Sequence, residues 1–234
     1  MKPFTVDLRR LAVEFLLIVA GVLSALMVDA AWQSHLDRGR EREYLRQLRA
    51  DAVENRARLM AAHDLEDDQR RRARAMVAAL RTRRPLDPDS AASWMDVGSG
   101  ESFPWYSDPR LATGTMVARV ETGDLNLIRD PGTRSATIAY LGQLQADLAE
   151  FGRSVDPFQE HYLRLVGMAE SRRGSAGPGV DPDSPGGILL TVQGDQEATV
   201  LFQLFAANIG VRMWYLEQMR QATDSFLVAL GEAP

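Results

Sequence analysis

Apolar residues fall into two regimes along the chain. From Leu11 to Trp32 the sequence LAVEFLLIVAGVLSALMVDAAW is apolar on every helical face, whereas beyond Trp32 apolar positions recur every three or four residues among charges. At 1.5 Å per residue the 22 positions of 11–32 make a helix of about 33 Å, enough to cross a hydrocarbon core of about 30 Å. Glu14 stands one turn beyond Arg10, an i,i+4 pair able to neutralise it near an interface, Asp29 falls where the opposite headgroups begin, and Trp32 fits an aromatic belt. A cleaved signal sequence is the competing reading, with Lys2, Arg9 and Arg10 ahead of the apolar run and Val28-Asp29-Ala30 as a small-residue cutting site. Against it stand Glu14 inside the run and a length beyond that of most such segments.

After Trp32 a second pattern takes over. Leu45, Leu48, Ala52, Asn55, Leu59, Ala62, Glu66, Gln69, Ala73, Met76 and Leu80 follow strict 4,3 spacing, predicting one long helix over 33–84 with a seam weakened by small and polar members. It would rise from the membrane helix as a stalk and stop at Pro85. Residues 85–108 carry Pro88, Gly98, Gly100 and Pro104 without periodicity and read as a loop, one that holds Trp94, Phe103, Trp105 and Tyr106. Those aromatics serve as a lid on the bundle or as contacts for a partner. Asp108-Pro109 and Asp130-Pro131 each read as an N-cap followed by Pro at the first helical position. The first of these helices would end at Gly123. The second would run on through Leu141, Leu144, Leu148, Phe151, Val155, Phe158, Tyr162 and Leu165, with a kink at Pro157. Residues 171–194 read as a flexible connector with a short extended piece at 188–192, and a last helix over about 195–230 buries Phe202, Phe205, Ile209, Leu216, Met219, Phe226 and Leu230. The expected fold is all-α: a polar tail at 1–10, a transmembrane helix at 11–32, a basic stalk, the aromatic loop, and a helical body at 109–234, with about four helices in an antiparallel bundle.

Charge sharpens this division. The net −5 of the 234 residues sums a balanced anchor, a stalk with 14 Arg against 9 acids, and residues 85–234 with 10 Arg against 20 acids. The basic arm is expected to pack along the acidic body, opposite charges setting the register. Lys and Arg flank both ends of the apolar run, and the expected orientation is N-terminus in the cytoplasm and body outside.

Candidate chemistry is sparse. The chain has no Cys and three His, which removes disulfides, zinc fingers and cysteine nucleophiles, and no phosphate, dinucleotide, zincin or serine-hydrolase motif occurs. Glu66, Asp67 and Asp68 read as a solvated acidic face rather than a cation site, since consecutive helical carboxylates point around the axis. No cofactor, metal or nucleic-acid partner is expected. Within the span Gly21 and Ala25 form a small-xxx-small pair, with Ala20 and Ser24 on the neighbouring face. That pattern serves close helix approach or simply reflects membrane-helix composition.

Two stretches resemble a group of uncharacterised bacterial single-pass membrane proteins. Residues Glu14 to Trp32 with the following REREYLRQLRAD resemble that group's Glu-aliphatic-Gly-aliphatic-Asx-x-Trp anchor, although an extra Ala separates Asp29 from Trp32. Glu121-Thr-Gly-Asp-Leu-Asn-Leu-Ile-Arg-Asp130, with Arg134 and Tyr140, is similar to its Gly-Asp/Asn-Leu turn between helices. The resemblance implies topology and fold and transfers no catalytic residue. The functional expectation is a non-enzymatic structural or accessory subunit of a bacterial inner-membrane assembly. It would meet lipid and other integral membrane proteins through Glu14, Gly21, Ser24, Ala25 and Trp32, and partners through the four aromatics of the loop. A membrane-tethered ligand sensor is the alternative.

Overall fold

The 4,3 spacing that begins near Leu45 becomes the central seam of the molecule. In a computed structural model that describes residues 8–82, 87–95, 107–172, 181 and 184–231, the fold is all-α, and no strand occurs among the described residues. One helix, α1 (Leu8–Arg81), runs for 74 residues, about 111 Å, without interruption at Gly39. From Leu48 to Leu80 every seam position is buried, Asn55, Glu66 and Gln69 included. What covers them is α7 (Gln196–Ala229), which begins at the expected Asp195 cap, where the side chain accepts the Ala198 N–H at 2.9 Å. The two helices are antiparallel: Arg49 donates to the Leu230 carbonyl, Arg56 pairs with Asp224 at 3.0 Å, and Glu66 meets Arg212. From Tyr44 onward α1 is a wall of the bundle.

The other helices close around this pair. Helix α4 (Pro131–Arg153) starts as expected on Asp130, whose carboxylate accepts both the N–H and the Oγ–H of Thr133 at 2.7 Å. It ends at Arg153, the residue whose carbonyl the Pro157 ring would strike. The expected irregularity falls at Ser154, three residues before the proline, where α4 gives way to α5 (Val155–Ser171), which has Pro157 in its first turn. Ser154 is the joint, its Oγ donating to the Phe151 carbonyl at 2.6 Å.

Three expectations need correction. The stretch 85–108 is not all loop, because α2 (Pro88–Met95) forms there. The piece at 188–192 is not extended, because α6 (Pro185–Thr191) covers it, capped by Ser184 accepting the Gly187 N–H at 3.0 Å. The helix expected from Asp108-Pro109 starts only at Gly114, as α3 (Gly114–Glu121). Asp108 instead accepts the Arg110 N–H at 3.1 Å in a tight turn, and Arg110 takes a positive φ of 40°. Gly123 does supply the left-handed stop after α3, at φ 74°. Helices α2 and α6 are too short to persist alone and exist by packing on each other. Their backbones approach so closely that a Cβ on Gly186 would lie 2.9 Å from the Ala92 nitrogen.

The core divides into two apolar clusters. Near the anchor, Tyr44, Leu48, Leu59, Leu144, Phe226 and Leu230 pack together; at the far end Met76, Leu80, Leu165, Leu189, Phe202 and Phe205 do. We expect Gly186→Ala to push α2 off α6 and lower the melting temperature, whereas Gly142→Ala, at a helical position with open space around it, leaves the temperature unchanged or raises it. Circular-dichroism melts of the two variants make the comparison.

Candidate functional site: the apolar anchor and the polar layer of the bundle

α1 is the one described helix long and apolar enough to cross a membrane, and none of its apolar window is buried against protein. Phe15, Leu16, Leu17, Ile18, Met27 and Val28 are each more than 60% exposed. Gly21, Ser24 and Ala25 lie on this bare surface, and beyond the neighbouring turns of its own helix nothing lies within 4 Å of where a Gly21 Cβ would be. Trp32 is exposed and stacks on His35, ring centroids 6.3 Å apart. Glu14 belongs to α1 and Trp94 to α2, but their side chains, like all of Phe103, Trp105 and Tyr106, lie outside the described residues.

Just past Trp32 the bundle grips the helix. The segment after Gly123 turns through a 3-10 stretch (Asp124–Leu127) and presents Arg129, whose N–H donates to Glu41 at 2.7 Å and whose guanidinium reaches the Ser34 carbonyl at 3.2 Å. Leu125 and Ile128 bury beside Tyr44, and Arg134 returns to the Ile128 carbonyl at 2.6 Å. The two stretches that carry the resemblance thus fold onto each other. Beside them a groove of about 470 Å3 opens between Leu36, Tyr44, Arg119 and Leu127. Arg119 lies over the Tyr44 ring, 5.5 Å from its centre.

Between the two apolar clusters sits a polar layer. The side chains of Glu66 and Arg212 are each 1% exposed. Glu66 Oε1 accepts from Arg212 Nε at 2.9 Å and Nη2 at 2.6 Å, and from the Ser107 N–H at 3.2 Å and its hydroxyl at 2.7 Å. Arg212 also donates to the Ser107 carbonyl at 3.0 Å and to Ser154 Oγ at 3.3 Å, and its guanidinium lies 4.1 Å from the Phe151 ring centre. One charge pair therefore joins α1, the 107–113 segment, the α4–α5 joint and α7. A second tie lies eleven residues down α1: Asn55 accepts the Ala112 N–H at 2.6 Å and donates to the Ala112 carbonyl and to Tyr140 Oη at 3.1 and 3.3 Å. The segment runs along α1 between these two ties, with the turn at Asp108–Arg110 inside it.

Here the solvated-face reading of the acidic triplet fails for its first member. Glu66 shares the phase of Leu59, Ala62 and Ala73 and so faces α7; Asp67 and Asp68 point outward and bind Arg70, Arg71 and Arg72 of their own helix. The signal was present in the seam spacing, which had placed Glu66 at a core position. Nor does the basic arm set its register mainly by pairing across helices. Among the described residues Arg40, Arg46, Arg58, Arg70, Arg71 and Arg72 each find a carboxylate three or four residues away on α1, while Glu66–Arg212, Arg56–Asp224 and Glu41–Arg129 cross between elements. Among the described residues no three His, Asp or Glu side chains gather closely enough to hold a metal ion. No protein-family model, curated protein or solved structure matches the chain.

On α7 the Arg220 guanidinium, hydrogen-bonded to Glu217, pulls that carboxyl down to about 2 from its ordinary 4.5, with Gln221 assisting. Folding therefore favours the carboxylate, and its contribution is intact above pH 4.5 and lost as pH falls toward 2. Glu217→Gln is expected to flatten the decline of melting temperature across that window relative to the unaltered chain. Removing one member of the buried pair leaves the other charge stranded: Glu66→Met or Arg212→Met alone should cost about 3–5 kcal/mol, and the double replacement should recover most of it. A denaturation cycle in which the double variant is as unstable as the sum of the singles would refute this account.

Proposed function

We propose that the chain is a non-enzymatic, single-pass protein of a bacterial inner membrane, with its N-terminus in the cytoplasm and its body in the periplasm. It acts as a structural or accessory subunit that binds and positions other proteins of a membrane assembly. The carrying observation is the continuity of α1: a bare apolar length suited to lipid and a buried seam suited to a protein core belong to one helix, and Arg129 clasps it just past the junction at Trp32. A helix built this way holds the body at a fixed attitude to the bilayer, which is what a positioning subunit requires. The exposed surface at Gly21, Ser24 and Ala25 lets another membrane helix approach closely. The resemblance of the anchor and of the Gly-Asp-Leu turn to single-pass bacterial proteins supports the same topology. Respiratory and photosynthetic complexes are candidate hosts that no residue singles out.

Extraction in a mild detergent followed by identification of co-purifying proteins tests the reading. A stoichiometric integral membrane partner, weakened by Gly21→Leu, is expected; a monodisperse protein without one would sink it. A phosphatase fused after Pro234 should be active, and an inactive fusion would reverse the proposed sidedness.

A further inference from the structure

The polar layer between the two apolar clusters holds more hydrogen-bonding capacity than its own members use. Glu66 and Gln69 are both fully buried on α1, three residues apart and so on one face of the helix. Every bond to Glu66 described above ends on Oε1, and its other oxygen, Oε2, is buried with no partner among the described residues. Gln69 is bonded at neither end of its amide: Oε1 and Nε2 are both buried and both without a partner among those residues. On α7 Asn208 donates through Nδ2 to the Ser154 carbonyl at 3.1 Å and leaves a buried Oδ1 unmatched. These groups belong to one level of the bundle. Arg212 lies against Glu66, the two helices are antiparallel, and each residue rises about 1.5 Å, so Gln69 stands about 4.5 Å and Asn208 about 6 Å beyond the charge pair, both toward the far cluster. Ser154 holds the two α7 residues from the side, accepting from Asn208 on its carbonyl and from Arg212 on its hydroxyl.

We propose that this layer is a binding site for water, in which a bridging pair of molecules joins Glu66, Gln69 and Asn208. The unpartnered atoms are three acceptors, Glu66 Oε2, Gln69 Oε1 and Asn208 Oδ1, and one donor, Gln69 Nε2. Buried polar groups are strongly disfavoured unless bonded. The Gln69 amide hydrogens would suit either neighbouring acceptor, yet no direct bond joins them, which is the arrangement a bridging molecule completes. The balance of donors and acceptors selects the bridge. Two waters donate four hydrogens, three to the acceptors and one from water to water, and they accept both Gln69 Nε2 hydrogens and that internal bond. A cation is a poor match, since the Arg212 guanidinium already faces Glu66 and the Gln69 nitrogen presents hydrogens of its own. An apolar molecule would leave every one of these atoms unmatched. Bound here, the waters link Gln69 of α1 to Asn208 of α7 and add a second polar crossing beyond the charge pair.

The test uses the full chain in detergent, labelled with carbon-13 and nitrogen-15 and with the Gln69 Nε2 resonances assigned through bonds from its own backbone. Rotating-frame cross-relaxation should show a direct contact between those hydrogens and a long-lived water. Oxygen-17 relaxation dispersion of the solvent should report fewer long-lived waters in Gln69→Met than in the unaltered chain, and Gln145→Met, at an exposed position of α4, should leave the dispersion as it is. Methionine is close to glutamine in size and cannot replace its bonds, so Gln69→Met should lower the melting temperature by several degrees. A dry layer gives the opposite sign, because the replacement then removes two unmatched groups and raises the melting temperature. The water contact is read on the unaltered chain and decides the matter even where Gln69→Met does not fold. No water contact at Gln69, a solvent dispersion that Gln69→Met leaves unchanged, a raised melting temperature in that variant, or a saturable shift of the Gln69 amide resonances on adding sodium or ammonium ions would each overturn the site.

Discussion

Two charges buried between two apolar clusters constrain everything else in this fold. Desolvating Glu66 and Arg212 is unfavourable unless they meet, and they meet at one sliding position of α7 along α1. A shift by a turn in either direction would set the guanidinium against Ala62 or Gln69, neither of which carries a charge, and leave the carboxylate alone. The apolar residues on either side would tolerate such a shift far better, since one aliphatic contact substitutes readily for another. The pair thus contributes selection of register more than net stability. Because Ser107 and Ser154 bond into it, the path of the 107–113 segment and the break between α4 and α5 are selected with it.

The seam of α1 was legible from spacing alone, down to the burial of its polar members. Glu66 was misjudged where it was considered as one of three consecutive acids, and placed properly where it was considered as a step in a period. A triplet describes composition, while phase describes direction, and direction decides burial. Arg212 carries the same signal, since it stands in the 4,3 phase of Phe205, Ile209, Leu216 and Met219, all buried.

The short helices were illegible for a different reason. α2 and α6 have eight and seven residues, below the length at which helix propensity sustains a helix, and their Pro and Gly content resembles loop punctuation. Gly186 is there for the Ala92 backbone, a contact between segments nearly a hundred residues apart that no local window contains. The caps at Asp130 and Asp195 were legible because a cap is a local bond between a side chain and the next turn. Asp108-Pro109 carries the same two residues and does not start a helix, since Asp108 turns back onto the Arg110 N–H and the segment bonds to Glu66 and Asn55 of α1 instead.

An unbroken helix is also a ruler. With Trp32 at the interface, Tyr44 stands about 18 Å and Leu80 about 72 Å above it, because each residue adds about 1.5 Å. If Phe15 to Trp32 spans a bilayer as proposed, the near cluster, the polar layer and the contact of α2 with α6 stack at set distances along the helix from it, and inserting or deleting a residue between Trp32 and Tyr44 would both shift the body along the axis and turn it by about 100°. Height and azimuth are coupled in such a design: seven residues, close to two full turns, is the smallest change that lifts the body by about 10 Å while returning it to nearly the same bearing.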